Sequence, residues 1–193
     1  MPRQGLNEEI VIRAAIELIE QKGNDKFSIR ELADVLKVKP ASLYNHISSI
    51  ESVYYQVADY AVEALVSALH SGIEGYTAQE AVYQLAYAYR RFGKEHYELY
   101  KIIMTLPLSK DEDLAGRPSK IMAPISCVLK ELGVEESQLI HQMRILRSVM
   151  HGFLMQEELG YFKDANVDTE ESYKLAIRSF VHGIHLEPEK GRI

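Results

Sequence analysis

The sequence predicts an all-helical protein of about nine helices, arranged as a three-helix head followed by a larger helical body. Three observations predict it. Apolar residues recur every three or four positions through most of the chain, and no segment alternates with period two long enough to make a strand. Small polar residues stand ahead of the periodic runs, several with a glutamate three positions on, and glycine or proline closes them. Charge is divided unevenly: residues 1–50 hold as many cations (Arg3, Arg13, Lys22, Lys26, Arg30, Lys37, Lys39) as acids (Glu8, Glu9, Glu17, Glu20, Asp25, Glu31, Asp34), so the rest carries the whole net charge of −6. The expected division is a head over 1–48 and a body over 49–193.

Asn7, with Glu8 and Glu9 in the first turn, starts a helix on which Ile10, Val11, Ala14, Ala15, Leu18 and Ile19 share a face, and Gly23 ends it. Ser28 and Glu31 form a capping pair for a second helix carrying Ile29, Leu32, Ala33 and Leu36. Lys37-Val38-Lys39 interrupts the pattern, and Pro40, whose fixed φ suits a first helical position, opens a third helix through Ile47. Ser48 with Glu51 then caps a long helix to about His70, roughly 30 to 35 Å at 1.5 Å per residue.

Thr77 with Glu80 opens the next helix, which runs to about Lys94 and carries Tyr83, Tyr87, Tyr89 and Phe92. A further segment spans His96 to Leu106 and stops at Pro107. The polar run from Leu108 to Ser119, with Gly116 and Pro118, reads as a mobile loop. Helices follow over about Lys120–Leu132, ended by Gly133, over Glu136–Leu159, ended by Gly160, and over Asp168–Leu186, stopped by Pro188, with a linker at Asp164–Val167.

With 193 residues, 47% hydrophobic and 26% charged, the chain can bury a sizeable core. Apolar stretches fall far short of twenty residues and no basic-then-apolar leader opens the chain, which points to a soluble cytoplasmic protein. The single cysteine, Cys127, fits a reducing compartment and reads as a small buried hydrophobe. His182 and His185 lie three apart without a third ligand, so they read as a surface pair rather than a metal site. No phosphate-binding glycine loop, Gly-x-Ser-x-Gly elbow or His-Glu-x-x-His motif occurs, and neither catalysis, a cofactor nor a metal is expected.

Within Lys22–Ser48 five cations face three acids, so this stretch is locally positive. On the third helix only Leu43 and Ile47 are core anchors. Ala41, Ser42, Tyr44, Asn45 and His46 then point outward, a small, hydroxylated, amide and aromatic face that can lie in a DNA major groove. Two capped helices also occur as a plain hairpin in many bundles. The helix ending in Gly23, the run Phe27-Ser28-Ile29-Arg30-Glu31-Leu32-Ala33 and the run Lys39-Pro40-Ala41-Ser42-Leu43-Tyr44-Asn45-His46-Ile47 resemble the DNA-binding head of the tetracycline-repressor family of bacterial transcription regulators. The candidate DNA contacts are Lys39, Ala41, Ser42 and Asn45 at base edges, on a helix begun by Pro40. The resemblance implies Ser28, Tyr44 and His46 at phosphates. The family usually carries a lysine at the start of the fourth helix. Here Ile50 and Glu51 stand there, which puts a common phosphate contact in question.

The last two long helices show more apolar surface than one partner hides: Leu139, Ile140, Met143, Leu146, Val149, Met150, Phe153 and Leu154 on one, Tyr173, Ala176, Ile177, Phe180, Val181 and Ile184 on the other. Paired with a second copy they would form a four-helix bundle, and the resemblance implies a homodimer as well. Met150-His151-Gly152 resembles, more weakly, a C-terminal domain type named for a Trp-His-Gly triplet. Tyr83, Tyr87, Tyr97, Tyr100, Met104, Met122, Met143, Arg147 and His151 are candidates to line an apolar cavity for a small-molecule effector, with space-filling core as the plainer reading of each. Arg147 and His151 suit an anionic or carbonyl-bearing ligand, or pair with Glu157 or another acid across a dimer. The expectation is a homodimeric repressor released from a palindromic operator by a small molecule. The alternative is a helical ligand-binding or protein-interaction module that has lost DNA binding.

Overall fold

The computed structural model describes residues 5–23, 27–105, 112–163 and 167–184, with backbone only for 112–118. The described residues form nine α-helices and no strand. They divide into two compact units, one made of the chain up to Leu65 with Glu95–Arg117, the other of Val66–Lys94 and the chain from Pro118 on.

In the first unit α1 spans Glu8–Lys22. The Asn7 side chain accepts from the Ile10 amide at 2.9 Å, and Gly23 closes the helix at φ 61°, a left-handed conformation that favours glycine. Its inner face, Val11, Ala14, Ala15, Leu18 and Ile19, is buried. It packs against α2 (Ile29–Leu36) and α6 (Tyr97–Thr105). Lys37 takes the left-handed position that ends α2, which is how a chain without glycine turns toward α3 (Pro40–Leu43). Regular helix stops at Leu43, four residues short of the expected end. The amides of Asn45 and His46 bond the carbonyls of Ser42 and Leu43, tightening the chain so that Ile47 is buried.

The expected Ser48–Glu51 capping pair is replaced by one a step later. Ser49 and Ser52 exchange backbone-to-hydroxyl bonds at 3.1 and 3.2 Å, and α4 runs Ile50–Ile73. Glu51 is held below its ordinary pKa by its own amide and the Ser49 hydroxyl, and so serves the same terminus without being the cap partner. The boundary between the two units falls inside α4.

The second unit contains most of α5 (Ala78–Glu95), the later part of α7 (Glu112–Glu131), α8 (Glu136–Glu158) and α9 (Thr169–Gly183). The expected loop over 108–119 is helical from Glu112. Burial of Ile121, Ile125, Val128 and Leu129 supports a helix through Pro118 and Pro124 despite their cost, because tertiary packing outweighs local propensity. Leu108 to Asp111 lie outside the described residues. Gly93 permits a close approach of α5 to α8: a Cβ there would stand 2.1 Å from the Leu154 Cδ2. Leu139, Leu146, Met150 and Leu154 on α8, with Tyr173, Ile177, Phe180 and Val181 on α9, are already buried within the chain, so less apolar surface remains for a second copy than the sequence suggested.

Candidate nucleic-acid interface

The entry to α2 is fixed several times over. Ser28 accepts from the Glu31 amide, Glu31 accepts from the Ser28 amide at 2.7 Å, and Lys22 pairs with the same carboxylate. The Lys22 bond first, then the Ser28 bonds, draw the Glu31 pKa down to about 2. One residue earlier, the Tyr54 hydroxyl of α4 accepts the Phe27 amide and donates to the Phe27 carbonyl at 3.1 Å, with the two rings 4.5 Å apart. The start of the helix pair is thus tied to both α1 and α4.

On this frame Leu43 and Ile47 are buried, as their spacing implied. Ser28, Lys39, Pro40, Ala41, Tyr44 and Asn45 are exposed, and Ser42 and His46 are half-buried. Tyr44 is 56% exposed, so its ring and hydroxyl are open to a partner. Lys37 and Lys39 flank this face and are exposed. A short convex surface of hydroxyl, amide, phenol and ammonium groups offers donors and acceptors for base edges and phosphates.

In the second unit the principal polar feature was not foreseen. Arg90 on α5 is 7% exposed, and it bonds Glu157 of α8 through Nε at 2.7 Å and Nη2 at 2.8 Å, and Glu170 of α9 through Nη1. Lys94 adds a bond to Glu157 at 2.8 Å. Burial pushes the Glu157 carboxyl up, but the bonds from Arg90 and Lys94 together outweigh it and hold its pKa below the ordinary value. Burial likewise opposes the charge on Arg90, and the two carboxylates more than restore it. The guanidinium also lies over the rings of Phe153 and Tyr173 at 5.8 and 5.0 Å, and the buried Tyr173 hydroxyl donates to the Ala86 carbonyl at 2.8 Å. Glu157 is therefore satisfied within the chain and does not wait for Arg147 or His151.

The family model described as "Tetracyclin repressor-like, C-terminal domain" matches residues 82–180, just over half of the chain, and the one described as "Bacterial regulatory proteins, tetR family" matches residues 11–56. The chain belongs to the tetracycline-repressor family of bacterial transcription regulators. It is 28% identical over 184 residues to the uncharacterized HTH-type transcriptional regulator YobS of Bacillus subtilis strain 168, covering 95% of each chain. Its fold matches a protein of unknown function from Rhodococcus sp. RHA1 with a TM-score of 0.82 at 19% identity, over 94% of this chain and 97% of that one. It also matches the Streptomyces coelicolor TetR family protein ActR in complex with (S)-DNPA, with a TM-score of 0.62 at 18% identity, over 93% and 97%.

As a member of this family of regulators the chain binds DNA through the helix-turn-helix that residues 11–56 contain. The nine candidate effector positions are divided between the two units. Tyr97, Tyr100 and Met104 fall in the first unit, and Tyr97 lies 5.2 Å from the Lys101 ammonium. In the second, Arg147 reaches the Met122 sulfur at 4.0 Å and stands near His151, whose pKa is lowered by burial and then by that cation. Tyr87 instead packs edge-on against Tyr173, while Tyr83 and Met143 are half-buried. Cys127 is exposed, with its sulfur 3.9 Å from Glu131, so the expectation of a buried thiol fails. His182 is exposed and His185 lies outside the described residues. Among the described residues no helix is long and apolar enough to cross a membrane, and no group of three or more His, Cys, Asp or Glu could hold a metal ion.

Sequence reasoning missed Arg90 because its partners are 67 and 80 positions away and nothing local marks them. The available signal was an arginine interrupting the buried face of α5, between Tyr89 and Phe92.

Proposed function

We propose that the chain is a repressor that works in the cytoplasm as a homodimer, reads a palindromic operator and is released from it by a small molecule. The observation that carries this reading is the exposed face from Lys39 to His46, held by buried Leu43 and Ile47. Lys39, Ala41, Ser42 and Asn45 face base edges, and Pro40 sets the start of the helix they stand on. Tyr44 and His46 contact phosphates, as does Ser28 once its hydroxyl exchanges its bond to Glu31 for one to a phosphate oxygen. Two such heads, over residues 1–48 of each copy, read half-sites roughly 34 to 36 Å apart, one helical turn.

The body, over 49–193, supplies the second copy and the response. Exposed Ile140 and Ile145 on α8 and Leu175 on α9 support pairing through these helices. The cluster of Met122, Arg147 and His151 supports an effector with an anionic or carbonyl group, and ActR, which shares the fold, is a ligand-bound parallel. A coupling of about 1 to 3 kcal/mol between effector and DNA suffices to change occupancy 5- to 150-fold. α4, which belongs to both units, is the element to carry it.

Selection from a pool of random duplexes tests the reading. Recovery of a palindrome is the expected result. An unenriched pool would favour the alternative, a helical interaction module in which the missing lysine at Ile50 marks lost DNA binding.

A further inference from the structure

The rings of the second unit form a ladder that ends in a cavity. Tyr87 meets Tyr173 with centroids 6.1 Å apart, Tyr173 meets Phe153 at 4.9 Å, and Phe153 meets Phe162, just past the end of α8, at 4.8 Å. Beyond Phe162 lies a partly enclosed cavity of about 200 Å³, bordered by Phe153, Tyr161, Phe162, Val167, Thr169 and Ser172. None of the nine candidate effector positions borders it.

Its chemistry is specific. Among the described residues three rings and a valine make the walls, and the polar side-chain groups at the border are the hydroxyls of Tyr161, Thr169 and Ser172. Ser172 donates to the Asp168 carbonyl at 3.2 Å, which leaves its oxygen free to accept and, on rotation, to donate. The amide of Glu170 at the start of α9 is occupied by the Asp168 side chain at 2.9 Å, so it is not offered to an anion. Glu170 and Glu171 sit in the same turn, and the nearest buried cation, Arg90, is engaged by Glu157 and Glu170. A carboxylate would meet this negative turn with hydroxyls but no cation among the described lining residues to compensate it. A neutral ring would instead extend the ladder in offset or edge contact.

We propose that this cavity binds a neutral, single-ring aromatic compound carrying a hydroxyl or carbonyl oxygen, its ring against Phe162 and Phe153 and its oxygen toward Thr169 and Ser172. The volume admits one ring with a short substituent. Because Arg90 lies over both Phe153 and Tyr173, an occupant touches the ladder that joins α5, α8 and α9. That link to regulation, and only that link, rests on the ligand-released repressor reading. Tyr161 and Val167, 71% and 70% exposed, form the outer rim, and the exposed rim gives a ligand access.

Calorimetric titration of the full-length protein with 4-hydroxyacetophenone, against 4-hydroxybenzoate and cyclohexanol as controls, tests the site. Saturable binding of the ketone is expected, at least about tenfold tighter than either control. Ser172→Leu, which fills the cavity, and Phe162→Leu, which removes the stacking ring, should each weaken it by at least about tenfold. Ser172 is half-buried at the surface, so its variant keeps the test valid where Phe162→Leu unfolds the loop. Absence of saturable binding up to about 10 mM, near the weak limit for a ten-atom ligand, would overturn the proposal. So would equal affinity for the carboxylate, or binding that ignores both substitutions. Binding that leaves affinity for the selected duplex unchanged upholds the site and counts against release by a ligand held there.

Discussion

Two charged clusters hold this protein together, and they use the same residue types to different effect. In the head, Glu31 links Ser28 and Lys22 on the surface, partners three and nine residues away. In the body, the buried Arg90 joins α5 to α8 and α9, with partners far along the chain, the largely buried Glu157 and the partly exposed Glu170. The first is a local device that orients a helix start, and solvent screens its charge. The second is a buried ion network, in which removing one partner strands the other in a low dielectric. The comparison predicts a body whose charges set stability and a head whose side chains set recognition.

The largest effect should come from Glu157→Ala. It leaves Arg90 buried with one carboxylate instead of two and should cost about 3 to 5 kcal/mol in urea unfolding. Converting Arg90 to Met and Glu157 to Leu together should recover much of that, since the charges that lose a partner, Glu170 and Lys94, are 41% and 44% exposed and stay hydrated. A single-mutant cost below about 1 kcal/mol, the ceiling usual for surface pairs, would erase the contrast with the head.

Acid should act on the body in two stages. The His151 pKa is lowered from 6.5, so the unfolded chain takes up a proton first, and stability is full above 6.5 and declines below it. The Glu157 pKa is lowered from 4.5, so its contribution is present above 4.5 and is lost as pH falls toward the depressed folded value. Thermal unfolding as a function of pH should lose the first stage in His151→Gln and weaken the second in Glu157→Gln. A profile that His151→Gln leaves unaltered would show that its burial is not what protonation opposes.

Gly93→Ala comes next. The added methyl overlaps Leu154 and should cost about 1 to 3 kcal/mol by overpacking, a body effect with no charge in it. Ser28→Ala removes the α2 cap and should cost about 1 kcal/mol, measured as a shifted unfolding midpoint. Smallest in stability is Tyr44→Ala, within about 0.5 kcal/mol because the ring is exposed. Its effect should appear in DNA binding instead, as a loss of about tenfold on every sequence tested, the size of one hydrogen bond to a charged group. Asn45→Ala should differ by relaxing preference at one base pair, at about 1 to 3 kcal/mol of discrimination.

What the sequence disclosed follows the same division. Asn7, Ser28 with Glu31, Gly23 and the anchors Leu43 and Ile47 act within a turn or two of themselves, so spacing alone located them. Where local rules compete, they misled. Ser48 and Ser49 both offer a cap, and the chain uses the later one, paired with Ser52. Gly116 and Pro118 read as a loop, yet apolar residues downstream carry α7 through them. The Arg90 network depends on residues far apart in sequence, and the exposure of Cys127 and the cavity at Phe162 depend on how the helices and their connections pack, which no periodicity encodes.

Recognition should reside on the face from Lys39 to His46. Fluorescence anisotropy of a duplex recovered by selection, titrated with wild-type protein and with Tyr44→Ala across salt concentrations, tests it most directly. Log affinity should fall linearly with log salt for the wild type, and Tyr44→Ala should bind more weakly at each salt while unfolding at nearly the same midpoint. Binding indifferent to salt, or a Tyr44→Ala protein that binds as tightly as wild type, would contradict it.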